Sequence, residues 1–162
     1  MVTSIHHKNA MLIKHFLHAG YQDKLDVLDT CVAESVVCHN FPEFNPASRE
    51  EFKAFFRYMA DAINQLHFKI EHLTADEQTV KVHFHINGVH HEEFMGFPAS
   101  GKRIDFHGTS VYRLEQEMVV EAWMYTSEVV LSDLFPVTRR QDMTRFALTA
   151  GEAGLQRAEL VL

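Results

Sequence analysis

The sequence has little of several features that would indicate a specialised class of protein. Only two of its 162 residues are cysteines, Cys31 and Cys38, and both lie in an apolar stretch, so we expect buried free thiols rather than a disulfide. No apolar run approaches membrane-spanning length. The N-terminal stretch lacks both the continuous apolar region and the small-residue cleavage site of a secretory signal. These absences predict a cytoplasmic protein of one domain that does not enter a membrane.

Positive charge is also scarce. Lysine and arginine number 15 against 22 acidic residues, which gives a net charge of −7. The doublets Lys102-Arg103 and Arg139-Arg140 are too short to form the clustered cationic surface that phosphate contacts need. The charge balance therefore argues against nucleic acid as a partner, and none is expected. Histidine, with 12 copies, is the one titratable residue type in unusual abundance.

The stretch from Val80 to Ser127 organises the rest of the chain. It alternates apolar and polar residues through three segments, separated by the Gly-Pro-Ser-Gly region of residues 96–101 and by a short charged turn at residues 115–117. Alternation of this kind predicts three antiparallel strands in a meander. A further strand is expected over Leu66 to Thr74, and an earlier one forms by about Ser35.

Helices are predicted on either side of the first strand. Ser4 can cap a first helix that Gly20 ends, a short second helix spans residues 22–30, and Ser48 with Glu51 forms a capping box for a third. The third helix carries one apolar stripe: Phe52, Phe55, Phe56, Met59, Ala60 and Ile63. After the meander, residues 129–135 suggest a short helical turn, and a capping box at Thr138 opens a further helix.

This order of elements predicts an α+β fold, in which helices cover one face of a curved antiparallel sheet. Residues 1–135 would form the main domain, and residues 136–162 a helical extension of that domain. A strongly bent sheet closed by helices leaves a conical cavity, which is a common place for a small ligand.

Three groups of residues carry a resemblance to a known family. They are Gly88 with His90, the run Gly96-Phe97-Pro98-Ala99-Ser100-Gly101-Lys102, and Val119-Val120-Glu121-Ala122-Trp123. Together they resemble the SnoaL-like polyketide cyclases of the nuclear transport factor 2-like superfamily, over about residues 8 to 135. The resemblance implies a cone-shaped fold with N-terminal helices on the concave face of the sheet. It also implies a homodimer formed through the outer sheet face.

Two positions depart from the family pattern. The family usually has a catalytic aspartate four residues after the tryptophan, where this chain has Ser127. The turn before the last strand usually contains glycine, but here it reads Glu115-Gln116-Glu117. The first departure removes the general acid/base of the classical cyclases.

The candidate site residues come partly from strand alternation and partly from the resemblance. Alternation places His90 with the inward apolar set of its strand unless Gly88 marks a bulge, so it is a candidate catalytic acid/base; a buried structural histidine is the alternative. On the last strand, apolarity alone would bury Ala122 and its set. The resemblance instead turns Glu121 inward, as a second candidate catalytic residue with a raised pKa, although a salt bridge to Arg113 is the competing interpretation. The substrate-binding candidates are His39, Trp123, Tyr125 and Ser127.

Two other motifs are weaker. His83 and His85 have a metal-ligand spacing, but their strand position places them on the outer sheet surface, so no metal site is predicted. Residues 96–102 match the spacing of a phosphate-binding loop, yet Arg103 follows where that motif needs Ser or Thr and a helix.

The sequence thus suggests a SnoaL-like protein with an apolar cavity for a small hydrophobic or aromatic carbonyl compound. Its chemistry would be cofactor-free acid/base catalysis of the cyclase, isomerase or dehydratase type. A non-catalytic binding or interaction protein that has lost the family aspartate is the alternative. A metal-dependent protein that uses the histidine cluster is a third interpretation.

Overall fold

In a computed structural model of the protein, which describes residues 2–132, helices pack on the concave face of a curved, open sheet of six strands. The elements are α1 (Val2–Tyr21), a 3-10 turn (Leu25–Val27), α2 (Leu28–Cys31), β1 (Val32–His39), α3 (Arg49–Ala62), β2 (Ile63–Ala75), β3 (Thr79–His90), β4 (Arg103–Glu115), β5 (Met118–Thr126) and β6 (Val130–Ser132). The predicted α+β class is confirmed. The predicted helix from Thr138 and the extension over residues 136–162 lie outside the described residues.

One of the two N-terminal helix caps predicted before the meander is present in the structure. Ser48 caps α3: its Oγ accepts a hydrogen bond from the amide of Glu51 at 3.1 Å. The Glu51 carboxylate reaches back to the amide of Ala47, at 2.8 Å, rather than to that of Ser48. The predicted cap at Ser4 is wrong, because α1 already begins at Val2.

The sheet has the strand order β1-β5-β4-β3-β2. The predicted meander is confirmed, and β3 pairs with β4 without a break from Thr79↔Arg113 to Val89↔Arg103. At one edge β1 pairs with β5 in parallel, a pairing that the sequence did not predict. The connection between these two strands runs through α3 and the meander, so it is long enough for a parallel pair.

The helical turn predicted over residues 129–135 is also wrong where the structure describes it. Val130–Ser132 forms β6, which pairs with Arg103–Asp105 of β4. Because β5 ends at Thr126, residues 103–105 of β4 have no partner on this edge from β5. The backbone groups of β6 supply the missing hydrogen bonds. The apolar residues Val130 and Leu131 suit a strand. Residues 133–135 lie outside the described part.

Aromatic rings join the helices to the sheet. Phe16 of α1 meets Phe52 and Phe56 of α3 and Tyr112 of β4 in edge-to-face contacts, with ring centroids 5.4, 5.9 and 5.6 Å apart. All four rings are buried. This geometry suits the quadrupoles of aromatic rings and fixes α1 and α3 against the concave face. Among residues 2–132, no helix is both long and apolar enough to cross a membrane.

Candidate functional site

The inner face of β3 leads to the candidate acid/base residue. Val80, Val82, Phe84 and Ile86 are all buried, and His90 continues the same alternation with no exposed surface. The pairing of Gly88 with Ile104 lies within the unbroken register of β3 and β4, so no bulge on this side reverses the alternation. The predicted inward position of His90 is confirmed.

The imidazole of His90 has one partner and one buried nitrogen without any. Its Nδ1 lies 2.8 Å from Ser100 Oγ, and the amide of Lys102 donates to the same hydroxyl oxygen at 3.2 Å. Its Nε2 is buried and has no hydrogen-bond partner among residues 2–132. Buried polar atoms are nearly always paired in folded proteins, so this unpaired nitrogen is an exception that needs an explanation.

The contact with Ser100 permits either neutral tautomer of His90. If the Ser100 hydroxyl donates to Nδ1, the proton of the ring lies on Nε2, which can then donate to a ligand oxygen. If Nδ1–H donates to Ser100 Oγ instead, Nε2 carries the lone pair and can accept a proton. One side chain can therefore hold a proton at Nε2 or remove one there, as general acid/base work requires.

The loop after His90 is fixed by an aromatic anchor. Phe94 is fully buried and stacks on Tyr58 of α3 and Phe106 of β4, with centroids 5.8 and 5.7 Å apart. The Tyr58 hydroxyl accepts from the amide of Met95 at 3.2 Å, and it donates to a carboxylate oxygen of Glu43. Burial raises the pKa of Tyr58, so this phenol keeps its proton.

Glu121 lies on the opposite side of the sheet from His90. Val119, Ala122 and Met124 are the buried residues of β5, and a register shift between Arg113 and Leu114 of β4 accounts for the uneven spacing. The inward orientation that the resemblance implied is therefore wrong, and apolarity alone gives the correct face. The bulge explains why Val119, two residues before Glu121, is buried on the inner side while Glu121 is not.

The environment of Glu121 stabilises its ionised form. Its Oε2 lies 2.8 Å from His39 Nε2, and its Oε1 lies 3.1 Å from Arg113 Nε. Hydrogen bonding to His39, and then to Arg113, lowers the pKa of the carboxyl, although its partial burial opposes the shift. The raised pKa expected for a cavity base is thus wrong, and the competing salt-bridge interpretation with Arg113 is confirmed.

The other predicted substrate-binding residues also face outward. His39 stacks on Trp123 at a centroid distance of 5.3 Å, while Tyr125 is half exposed. Ser127 Oγ accepts from the amide of His107 at 2.9 Å, which extends the β4–β5 pairing beyond Thr126. The structure thus groups His39, Glu121 and Trp123 together, and it separates that group from His90. Their contact with a ligand stays a prediction.

Sequence reasoning missed three residues. Ser100, the partner of His90, lies inside the family motif but was not singled out, although its spacing from His90 across a hairpin could have indicated it. Glu71 and Asp105 lie on the outer face beside His107 and His85, at 3.1 and 2.7 Å. The outward position of His83 and His85 is confirmed, and His107 lies on the same outer face.

Comparisons with known proteins agree with this architecture. The family model described as SnoaL-like polyketide cyclase matches residues 11–132. The comparison with curated proteins gave no match. Among solved structures, a SnoaL-like polyketide cyclase from Agrobacterium tumefaciens is 21% identical with a TM-score of 0.64, covering 72% of this chain and 89% of its own.

Two further solved structures have the same fold. TsrD from Streptomyces laurentii is 21% identical with a TM-score of 0.64, over 72% of this chain and 86% of its own. An LEH-like epoxide hydrolase from M. tuberculosis is 14% identical with a TM-score of 0.59, over 86% and 89%. Because one fold hosts several chemistries, the function has to be argued from the site.

Proposed function

Because the chain belongs to the SnoaL-like polyketide cyclase family, we propose that it binds a small carbonyl compound on the concave side of its sheet and moves a proton through His90. The observation that carries this proposal is the buried Nε2 of His90, which has no partner among residues 2–132. A carbonyl or enol oxygen would satisfy that nitrogen. An apolar, aromatic compound suits the buried apolar residues of the same face of β3, among them Phe84 and Ile86.

In the proposed reaction, Nε2 removes a proton from the carbon next to the carbonyl group. Nδ1–H donates to Ser100 Oγ during this step, so the imidazolium that forms keeps a hydrogen bond to an oxygen. Nε2 then returns the proton to carbon or oxygen of the product, so the protein ends unchanged. Cyclisation, isomerisation and dehydration all begin with such a step, and no cofactor takes part in it.

A second candidate function is binding without catalysis. Among the described residues, the buried polar side chains are Asn9, Lys53, His90 and Ser110, so no carboxylate accompanies His90 on the inner side. Ser127, at the position of the family aspartate, faces outward as well. In this alternative, His90 only donates a hydrogen bond from Nε2 to the ligand carbonyl.

Deuterium exchange separates the two functions without knowledge of the natural substrate. The probe is 2-tetralone, a flat aromatic ketone whose exchange of α-hydrogens in deuterated buffer is followed by NMR. We expect the protein to accelerate exchange, and we expect His90→Gln to lower the acceleration by at least about a hundredfold. His91→Gln is the matched control, because the neighbouring histidine is exposed and uses only its backbone amide, which donates to Ala62.

Each result assigns a function. Binding that shifts the His90 ring signals, without faster exchange, favours the non-catalytic function. Equal rates for wild type and His90→Gln contradict the proposal, and a loss of rate in Glu121→Gln alone would return catalysis to the outer face. If His90→Gln melts much earlier than wild type, Ser100→Ala replaces it, since Ser100 is exposed and its removal deprives the imidazolium of its partner.

A homodimer through the outer sheet face is also part of the proposal. The outer face of β1 and β5 exposes Val37 and Tyr125, at 47% and 51% of their surfaces, beside Trp123. Apolar groups of this kind are typical of an interface. Light scattering after size exclusion should give twice the chain mass, and Tyr125→Glu should shift the protein toward the monomer. A monomeric wild type would contradict this assembly.

A further inference from the structure

The outer face carries a second cluster of chemistry-bearing residues, on the other half of the sheet from Val37. Three adjacent strands contribute one residue each: Glu71 from β2, His85 from β3 and His107 from β4. His85 and His107 are directly opposite each other in the β3–β4 pairing. Glu71 lies where the β2–β3 register shifts between Ile70 and His72, and this irregularity turns its side chain toward the two imidazoles.

We propose that Glu71, His85 and His107 bind one divalent transition-metal ion, with zinc as the best match. One ligand atom from each of the three residues lies within 4.8 Å of the other two. Two imidazole nitrogens and one carboxylate oxygen form a common zinc ligand set. This site is on the opposite face of the sheet from His90 and is independent of the reaction proposed there, although Tyr125 of the proposed dimer face lies beside it.

The distance between two of the ligand atoms already suits a metal. His107 Nδ1 lies 3.1 Å from Glu71 Oε1. Two atoms bound to one zinc ion at about 2.0–2.1 Å, with a tetrahedral angle between them, are about 3.3 Å apart. The ion would therefore replace the proton between these two atoms, and the His85 imidazole, which stacks on His107, would have to tilt and move closer.

Asp105 fixes the tautomer of the third ligand, His85. Its Oδ1 accepts from His85 Nε2 at 2.7 Å, which leaves the lone pair of the neutral ring on Nδ1. A carboxylate that holds the other nitrogen of a histidine is the usual outer partner of a zinc ligand, because it fixes the tautomer and makes the ligand more basic. Asp105 is thus a positioning residue in this site.

The space beside the cluster leaves room for a fourth ligand. A groove of about 310 Å³ is lined by Glu71 and His107 together with Thr109, Tyr125 and Ser127. Water or a small anion can occupy it, and three protein ligands plus an open position are typical of zinc sites that are not purely structural. Without an ion, the stacked rings of His85 and His107, with centroids 4.3 Å apart, would be held by the two carboxylates alone.

Zinc titration of the untagged, EDTA-treated protein tests the site. Isothermal calorimetry with zinc chloride should give one ion per chain, and native mass spectrometry should show the same ratio. His107→Ala and Glu71→Gln should each weaken binding at least about tenfold, and Asp105→Asn about tenfold. His15→Ala is the matched control, because it removes an exposed histidine of α1 and should leave affinity unchanged.

The substituted side chains are at the surface, so circular dichroism should confirm an intact fold in every variant. Cobalt, used as a spectroscopic substitute, should give the visible absorption of a four-coordinate site in wild type but not in His107→Ala. Absence of stoichiometric binding overturns the proposal and leaves the cluster as two ion pairs. Binding that His107→Ala and Glu71→Gln do not weaken, or that His15→Ala weakens equally, overturns it too.

Discussion

A single methyl group on Gly108 should disturb the centre of the sheet. Gly108 of β4 lies opposite Phe84 of β3, whose ring covers it and is almost fully buried. A Cβ atom at Gly108 would be 2.4 Å from Phe84 Cζ and 2.8 Å from the carbonyl oxygen of Tyr125. Real Cβ atoms are almost never this close to their neighbours, so both groups must shift.

The cost of Gly108→Ala follows from these contacts. Overpacking in a core costs about 1–3 kcal/mol, and the Tyr125 oxygen cannot move without disturbing the β4–β5 pairing, so we expect the upper half of that range. Alanine also lowers the conformational entropy of the unfolded chain relative to glycine, which offsets about 0.4–1 kcal/mol of this cost. The net loss in free energy of unfolding is about 2 kcal/mol, or roughly 4–8 °C in melting temperature.

A double-mutant cycle tests the reasoning with urea denaturation followed by circular dichroism. Phe84→Leu alone should lose about 1–1.5 kcal/mol of buried ring surface. Combined with Gly108→Ala, however, it removes the clash with the ring, so the double variant should lose about 1 kcal/mol less than the sum. Independent sites deviate from additivity by only about 0.3–0.5 kcal/mol. Full additivity would refute the claim that the Phe84 ring excludes a methyl group here.

Three further predictions concern other parts of the chain. Gln116 and Glu117 have positive φ angles of 52° and 63°, which the sequence Asn-Gly of a type I′ turn adopts with less strain. Changing them to Asn and Gly should raise the free energy of unfolding, measured by urea titration, by about 1 kcal/mol. A decrease contradicts the turn assignment. Burial raises the pKa of Cys38 to about 12, so alkylation at pH 8, mapped by mass spectrometry, should be about a thousandfold slower than for an exposed thiol; fast labelling contradicts the burial. Folding lowers the pKa of Glu121. The wild type should therefore have a higher free energy of unfolding than Glu121→Gln at pH values above the unfolded pKa near 4.5, and this advantage should disappear as pH falls through the folded pKa. An advantage that stays unchanged at low pH contradicts the ion pairs.

Most of the fold could be predicted because its signals are local. Alternation along residues 80–86 places each side chain of β3 on a face, and the capping box at Ser48 marks the start of α3. Pairing between distant segments could not be predicted in this way. The parallel β1–β5 edge and β6 depend on which backbone edge remains open once the meander has formed, and no short stretch of sequence encodes that.

The candidate site shows the same division. His90 could be assigned to the inner face, because unbroken alternation reaches it from Val80. The apolarity of Ala122 and Met124 also gives the correct outer face for Glu121, and only the resemblance favoured the inner one. The burial of Val119 could not be predicted, because the register shift beside Arg113 leaves no local signal. The approach of Glu71 to His107 depends on a second irregularity, in β2, so the metal ligands come together only in three dimensions.

The pairing of β1 with β5 also sets the order in which the chain can fold during synthesis. His39 and Glu121, which join these strands, are 82 residues apart. At about 5–20 residues per second, a ribosome needs roughly 4–16 s to make the chain between them. Throughout that interval β1 has no strand beside it, and its Val32, Val36 and Val37 form an apolar strand edge of the kind that recruits other chains. Production of this protein should therefore depend on translation rate and on chaperones that cover this segment until β5 emerges.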